Sequence, residues 1–209
     1  MKRYKQSEID ELVEILKKDG VISVPTDTVY GLCAKFDSKA AYNKLIKIKN
    51  RPACKPFPVM CADLNQIKDI AIVDEKAEKL INKFMPGPIT LVLLKRQEIP
   101  EYVTNGENTI AVRMATAKVL NELILKLGCP IFMSSANQSG EPACKSLDEI
   151  EKACTNLDGM MEGEVSYGIA STIVDCTGDK IKILREGPIL KKLLQDFLGY
   201  DNIQKDNWI

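Results

Sequence analysis

The 209-residue chain contains no histidine. That removes Ser-His-Asp and Cys-His nucleophilic catalysis, the H-E-x-x-H zinc proteases and the usual imidazole general base. Net charge is missing too, since 29 Lys and Arg offset 29 Asp and Glu. No global field draws the protein toward nucleic acid or an acidic membrane, so any attraction to phosphate must come from local clusters. No apolar run approaches the ~20 residues a membrane span needs, and Met1-Lys2-Arg3-Tyr4 leads into charged sequence without an apolar signal core. Seven cysteines, an odd number without a C-x-x-C pair, predict a cytoplasmic protein with free thiols and disfavour structural zinc. The P-loop pattern G-x-x-x-x-G-K-[ST] and the Rossmann pattern G-x-G-x-x-G are both absent. Chemistry here must rest on cations, carboxylates, hydroxyls and backbone amides.

What is present is ordinary globular composition, 45% apolar and 28% charged, in a chain of single-domain length. Helical and strand patterns alternate without a break, which predicts one α/β domain: a single twisted mixed β-sheet with flanking helices over residues 1–198. Ser7-Glu8-Ile9-Asp10 reads as a capping box before a helix carried by Ile9, Leu12, Val13 and Leu16. Asp74 and Ser146 cap further helices. Ile89–Leu94 is apolar on both faces and predicts a central strand. Phe57–Cys61, Thr109–Arg113 and Pro130–Met133 are further strand candidates. Gly159, Gly163 and Gly168 predict a loose connection, and Glu186-Gly187-Pro188 the start of a last helix, Ile189–Leu198. The tail 199–209 is aperiodic, and its Trp208 either docks on the body or is idle.

The stretch from Val21 to Lys55 organises the rest. Val21-Ile22-Ser23-Val24 is a buried strand that must stop at Pro25, because proline cannot continue a central ladder. Thr26, Asp27, Thr28 and Tyr30 then crowd polar groups past its carboxyl end, where open α/β sheets place their ligands. A hydroxyl-rich turn capping a helix accounts for them equally well. Ser38 caps the next helix, with Ala41, Leu45 and Ile48 buried and Lys44, Lys47, Lys49 and Arg51 expected to point elsewhere. Pro52, Pro56 and Pro58 stiffen the segment after that helix, so Arg51 and Lys55 ride on an extended strip. A second polar loop, Ser134 to Pro142, comes after another strand. Its small hydroxyls, amide and glycine suit close approach to a ligand, although they are also ordinary turn residues. Arg113 ends one strand, and Ser171, Thr172 and Arg185 sit at the ends of a hairpin-like pair. Guanidinium groups match phosphate and carboxylate oxygens bidentately. The set suits a triphosphate together with a small carboxylic acid.

Pro25-Thr26-Asp27-Thr28-Val29-Tyr30-Gly31-Leu32, Lys49-Asn50-Arg51-Pro52, Pro86-Gly87-Pro88-Ile89-Thr90, Ala111-Val112-Arg113, Ser134-Ser135-Ala136-Asn137-Gln138-Ser139-Gly140 and Ser171-Thr172-Ile173-Val174-Asp175 resemble the threonylcarbamoyl-AMP synthase (YrdC-like) family. They fall in the family's order from about Ser7 to Pro188, and the pairing of K-x-R with S-x-N is the specific part. The resemblance implies a YrdC-like catalytic domain at 1–198. It also implies an enzyme that joins L-threonine, bicarbonate and ATP into threonylcarbamoyl-AMP and pyrophosphate, with Mg2+ alongside ATP. A separate tRNA-modifying transferase would use the product downstream, and tRNA itself is a possible ligand. By the same resemblance Arg51, Lys55, Thr109, Ser135 and Arg185 hold ATP, and Lys49, Arg51, Ser135 and Asn137 form the catalytic set. Thr28, Arg113 and Ser171 hold threonine, and no residue is assigned to a metal. The alternative expectation is a non-catalytic module of the same fold that binds double-stranded RNA or tRNA. Zero net charge speaks against it, because phosphate-tracking surfaces carry a basic excess.

Overall fold

In a computed structural model that describes residues 1–52 and 55–204, Val21–Val24 is a fully buried strand that stops at Pro25. Ten strands form one mixed sheet: β1 (Arg3–Tyr4), β2 (Val21–Val24), β3 (Gly31–Lys35), β4 (Val59–Met60), β5 (Ile89–Leu94), β6 (Thr109–Arg113), β7 (Ile131–Ser135), β8 (Gly159–Met161), β9 (Thr172–Asp175) and β10 (Lys182–Arg185). Their spatial order is β1-β8-β2-β3-β7-β4-β6-β5-β9-β10. The pairs β1/β8, β2/β8, β4/β6 and β5/β9 are parallel, and the remaining neighbours are antiparallel.

Helices α1 (Ile9–Lys17), α2 (Lys39–Lys49), α3 (Leu64–Ile70), α4 (Glu75–Phe84), α5 (Glu101–Thr104), α6 (Lys118–Leu127), α7 (Leu147–Ala153) and α8 (Lys191–Leu198) flank it. Strand side chains alternate between two cores, as the pleat requires. Ile22, Val24, Cys33, Ile131 and Met133 pack with α1 and α6. Val21, Leu32, Ala34, Phe132 and Val59 pack with α2, α3, α4, α7 and α8. Ser38, Asp63, Asp74 and Ser146 each accept an amide of the first turn after them, the usual way of satisfying a helix start.

Several expectations change. Ser7 makes no cap; Glu8 takes the Lys5 amide instead, at 2.8 Å, and α1 begins only at Ile9. The strand expected over Phe57–Cys61 shrinks to Val59–Met60, because Pro56 and Pro58 have no amide to donate. Gly159 belongs to a buried strand rather than a loose connection. A Cβ there would come within 2.8 Å of the Tyr4 ring, so glycine serves close packing. The last helix starts at Lys191, not Ile189. The buried Thr172 hydroxyl takes the amides of Gly187 and Ile189, both at 3.0 Å, and holds that segment out of the helix. Cys54 and Trp208 lie outside the described residues, in which the other six cysteines are free thiols. No helix among the described residues is long and apolar enough to cross a membrane.

Candidate active site

The Thr26 hydroxyl organises the turn between β2 and β3. It donates to the Val29 carbonyl (2.6 Å) and accepts the amides of Thr28 (3.1 Å) and Val29 (3.2 Å), a local side-chain closure that substitutes for ladder hydrogen bonds. The turn thereby presents Thr28 and Asp27 to Arg113, at the end of β6. Arg113 is buried, and its Nε donates to the Gly87 carbonyl (3.0 Å), its Nη1 to Thr28 Oγ1 (2.9 Å) and its Nη2 to Asp27. A guanidinium has five donors. Three are engaged, which leaves one on each terminal nitrogen. Burial lowers the Arg113 pKa from its ordinary value, Asp27 opposes that, and the charge of Arg185 adds to the lowering. The group stays cationic, as arginine does in proteins.

Beside it, Thr90 Oγ1 and Ser171 Oγ share a hydrogen bond of 2.8 Å. Arg185, at the end of β10, holds the Ser171 carbonyl with Nε (3.0 Å) and Nη2 (2.8 Å). Thr28, Thr90, Arg113, Ser135, Ser171 and Arg185 all line one cleft, floored by Val59, Met60 and Met133. Among the described residues that line it there is no Asp or Glu.

On β6 and β7, which run in opposite directions, Val112 and Phe132 both stand level with Val59. Thr109 lies three residues before Val112, and Ser135 three after Phe132, so both fall toward the end away from Arg113. Behind Ser135 sits Lys49, whose Nζ donates to the Ser135 carbonyl (2.7 Å) and to Asn137 Oδ1. Asn137 Oδ1 also accepts the Ser135 hydroxyl at 2.8 Å.

Lys49 corrects the expectation that it points away from the core: it is only 2% exposed. It falls four residues after Leu45 and seven after Tyr42, which places it on the buried stripe of α2, a signal the sequence did carry. Burial, and then the neighbouring Arg51 charge, bring its pKa down from 10.5 to about 8. The unfolded chain therefore binds more protons than the folded one between pH 8 and 10.5, so this group adds stability as pH rises through that window. The buried thiol of Cys33 and the hydroxyls of Tyr30 and Tyr42 have raised pKa values and act oppositely. The readout is thus a difference. Between pH 8 and 10, Lys49→Met is expected to lose stability faster than wild type in urea melts, by about 2 kcal/mol. Parallel curves for the two proteins would show that Lys49 titrates normally.

The structure brings Thr28, Arg113, Ser135, Ser171 and Arg185 to one cleft, with Lys49 and Asn137 packed behind. Arg51, Lys55 and Thr109 are not among its lining residues. Arg51 lies over the Phe57 ring, 4.7 Å from its centroid, and donates to the carbonyls of Lys55 (2.8 Å) and Pro56 (2.9 Å). It shapes the proline strip that leads to Pro58 on the cleft wall. Lys55 is exposed. Sequence reasoning marks Asp27 only as one polar group of its turn and does not pair Asp27 or Thr90 with a partner, because those partners lie 86 and 81 positions away. No cluster of three or more His, Cys, Asp or Glu able to hold a metal occurs among the described residues.

Residues 14–187 match the Sua5, YciO and YrdC family model, whose description is Telomere recombination. The chain belongs to that family. A threonylcarbamoyl-AMP synthase of Bacillus subtilis (strain 168) is 34% identical over 95% of this chain and 58% of its own length. Among solved structures, Pyrococcus abyssi Sua5 complexed with L-threonine superposes with a TM-score of 0.91 at 30% identity, covering 97% of this chain and 61% of that one. Escherichia coli YciO superposes with a TM-score of 0.82 at 28% identity, covering 92% and 97%. The chain thus spans about three fifths of the Bacillus and Pyrococcus relatives and nearly all of YciO.

Proposed function

We propose that this member of the Sua5/YciO/YrdC family is an L-threonylcarbamoyladenylate synthase. The observation that carries the reading is a cleft lined by hydroxyls and guanidinium groups, with no carboxylate among the described residues that line it. Such a lining suits two anionic substrates meeting end to end. At one end, the two unengaged donors of Arg113 clamp the carboxylate of L-threonine, and Thr28 and Ser171 hold its amine and hydroxyl. At the other, Ser135 and Thr109 border ATP, Lys49 and Asn137 complete the wall, and Arg51 and Lys55 frame the phosphates. Arg185, which holds the Ser171 carbonyl, meets the nucleotide phosphates from the other side of Arg113. The names of the Bacillus synthase and of the threonine-bound Pyrococcus structure support the same substrates.

The chemistry needs no protein nucleophile. The threonine amine adds to the carbon of bicarbonate, and loss of water leaves a carbamate. A carbamate oxygen attacks the α-phosphorus of ATP, the bond to the β-phosphate oxygen breaks, and pyrophosphate departs with the electron pair. Positioning supplies roughly 7–11 kcal/mol in well-aligned reactions, and donors aimed at developing charge supply more. Magnesium enters only as a companion of the nucleotide phosphates. The product is a mixed anhydride for a separate transferase that modifies tRNA.

Pyrophosphate release from ATP, measured with each of the twenty amino acids with and without bicarbonate, tests this directly. Release is expected only with threonine and bicarbonate together, and Arg185→Ala should reduce it by roughly a hundredfold. No release under any combination, alongside RNA affinity that falls steeply with salt, would overturn the reading in favour of a non-catalytic RNA-binding module.

A further inference from the structure

The four last carbonyls of α2 can be accounted for completely. Helix ends leave four such groups without intrahelical partners. Asn50, left-handed at φ 48°, closes two of them: its amide reaches the carbonyls of Ile46 and Lys47, and the Arg51 amide also reaches Ile46, at 3.1 Å. The other two are closed from another part of the chain. Gln138 Nε2 donates to the Ile48 carbonyl at 2.9 Å, and the Ser139 amide to the Lys49 carbonyl at 3.0 Å. The same Gln138 Nε2 donates to the carbonyl of Ala153, the last residue of α7, at 2.5 Å. One side-chain amide therefore ties two helix ends to the loop after β7.

We infer that Gln138 is a positioning residue that fixes the cationic end of α2 against the Ser135–Asn137 loop. The inference deepens, and rests on, the reading of that end of the cleft as the ATP site. Lys49 and Ser135 belong to segments 86 positions apart, linked here by the bond from Lys49 Nζ to the Ser135 carbonyl. Gln138, Ser139 and Lys49 make a patch of bonds between distant segments of the chain, and Gln138 reaches α7 as well. Its work depends on two N–H donors, not on its shape. Lys49 Nζ is held by the Ser135 carbonyl and Asn137, with Arg51, Cys144 and Cys154 the charged or titratable groups around it.

Two variants separate donors from shape. Gln138→Met keeps the volume and removes both donors. Gln138→Lys keeps donors on a flexible stem. For Gln138→Met, kcat/KM for ATP is expected to fall roughly tenfold to a hundredfold, with the KM for threonine changed less than about twofold. Gln138→Lys should recover most of the loss. Two arms need no turnover. Amide exchange at Ser139 should accelerate at least about tenfold in Gln138→Met. The Lys49 titration, followed by NMR of its side chain, should rise toward the ordinary lysine range as water enters. Equal loss in both KM values, no recovery by lysine, or unchanged Ser139 exchange and Lys49 titration in Gln138→Met would overturn the inference. A wild-type protein without threonine-dependent pyrophosphate release defeats the ATP reading instead, and the exchange and titration arms still decide the role of Gln138.

Discussion

Arg113→Lys is expected to raise the KM for threonine by about a hundredfold while leaving that for ATP within about threefold. Donor count sets the size of the effect. Arg113 already serves the Gly87 carbonyl, Thr28 and Asp27 and still has a donor on each terminal nitrogen. A lysine ammonium has three donors radiating from one atom. It cannot hold Asp27 and Thr28 and also present a parallel pair to a carboxylate. Losing one charge-assisted hydrogen bond costs about 1.5–3 kcal/mol, and each 1.4 kcal/mol is tenfold. Because ATP meets the Ser135 end of the cleft in the proposed pose, its KM should be nearly untouched. Steady-state pyrophosphate release at varied threonine and varied ATP measures both. A parallel rise in the two constants would remove Arg113 from the threonine subsite and the two-ended assignment with it.

How much of this was legible in the sequence depends on whether local chemistry or distant pairing decides the element. Helices α1, α2, α4 and α6 were readable, because an apolar stripe at helical spacing is a local property. Ser38 and Asp74 mark the starts of α2 and α4 by accepting nearby amides, as Asp63 and Ser146 do for α3 and α7. β2 and β5 were readable as short apolar runs bounded by proline. β3 was not. Gly31-Leu32-Cys33-Ala34-Lys35 has no β-branched residue, so little local preference marks it. It is a strand because β2 and β7 pair with it on both sides. β1 and β8, two and three residues long, exist for the same reason.

The site divides the same way. Cations and hydroxyls at the ends of strands and helices can be marked from the sequence, and five of the marked residues do meet in one cleft. Which acceptors hold those cations cannot be read there. Asp27 and Arg113, Lys49 and Asn137, and Gln138 and Ala153 meet only after the sheet has assembled. Arg51 shows the same limit: its chemistry marks it as a ligand group, but its place over the Phe57 ring and its bonds to the carbonyls of Lys55 and Pro56 depend on the folded proline strip.

The pairing of Asp27 with Arg113 makes the largest stability prediction. Both side chains are nearly sealed from water, at 4% and 7% exposure. Removing one member of such a pair leaves an uncompensated buried charge and typically costs about 3–5 kcal/mol. Asp27→Ala is expected to lose that much in urea denaturation, or about 6–20 °C in Tm for a chain of this size. Asp27 Oδ2 also accepts the Thr116 amide, at 3.4 Å, so Asp27→Asn is no gentle control, because one of its two polar atoms must meet an N–H with an N–H. The double variant Asp27→Leu with Arg113→Met removes both charges and fills the space with apolar atoms. Such replacements are often neutral or stabilising, so it should return to within about 1 kcal/mol of wild type while gaining no response to threonine. That pattern, a large single loss and a near-complete double recovery, separates charge desolvation from packing. If the double variant is as unstable as Asp27→Ala, the cost lies in the shape of the β2–β3 turn, and Asp27 is a turn residue rather than the counterion that sets Arg113 in place.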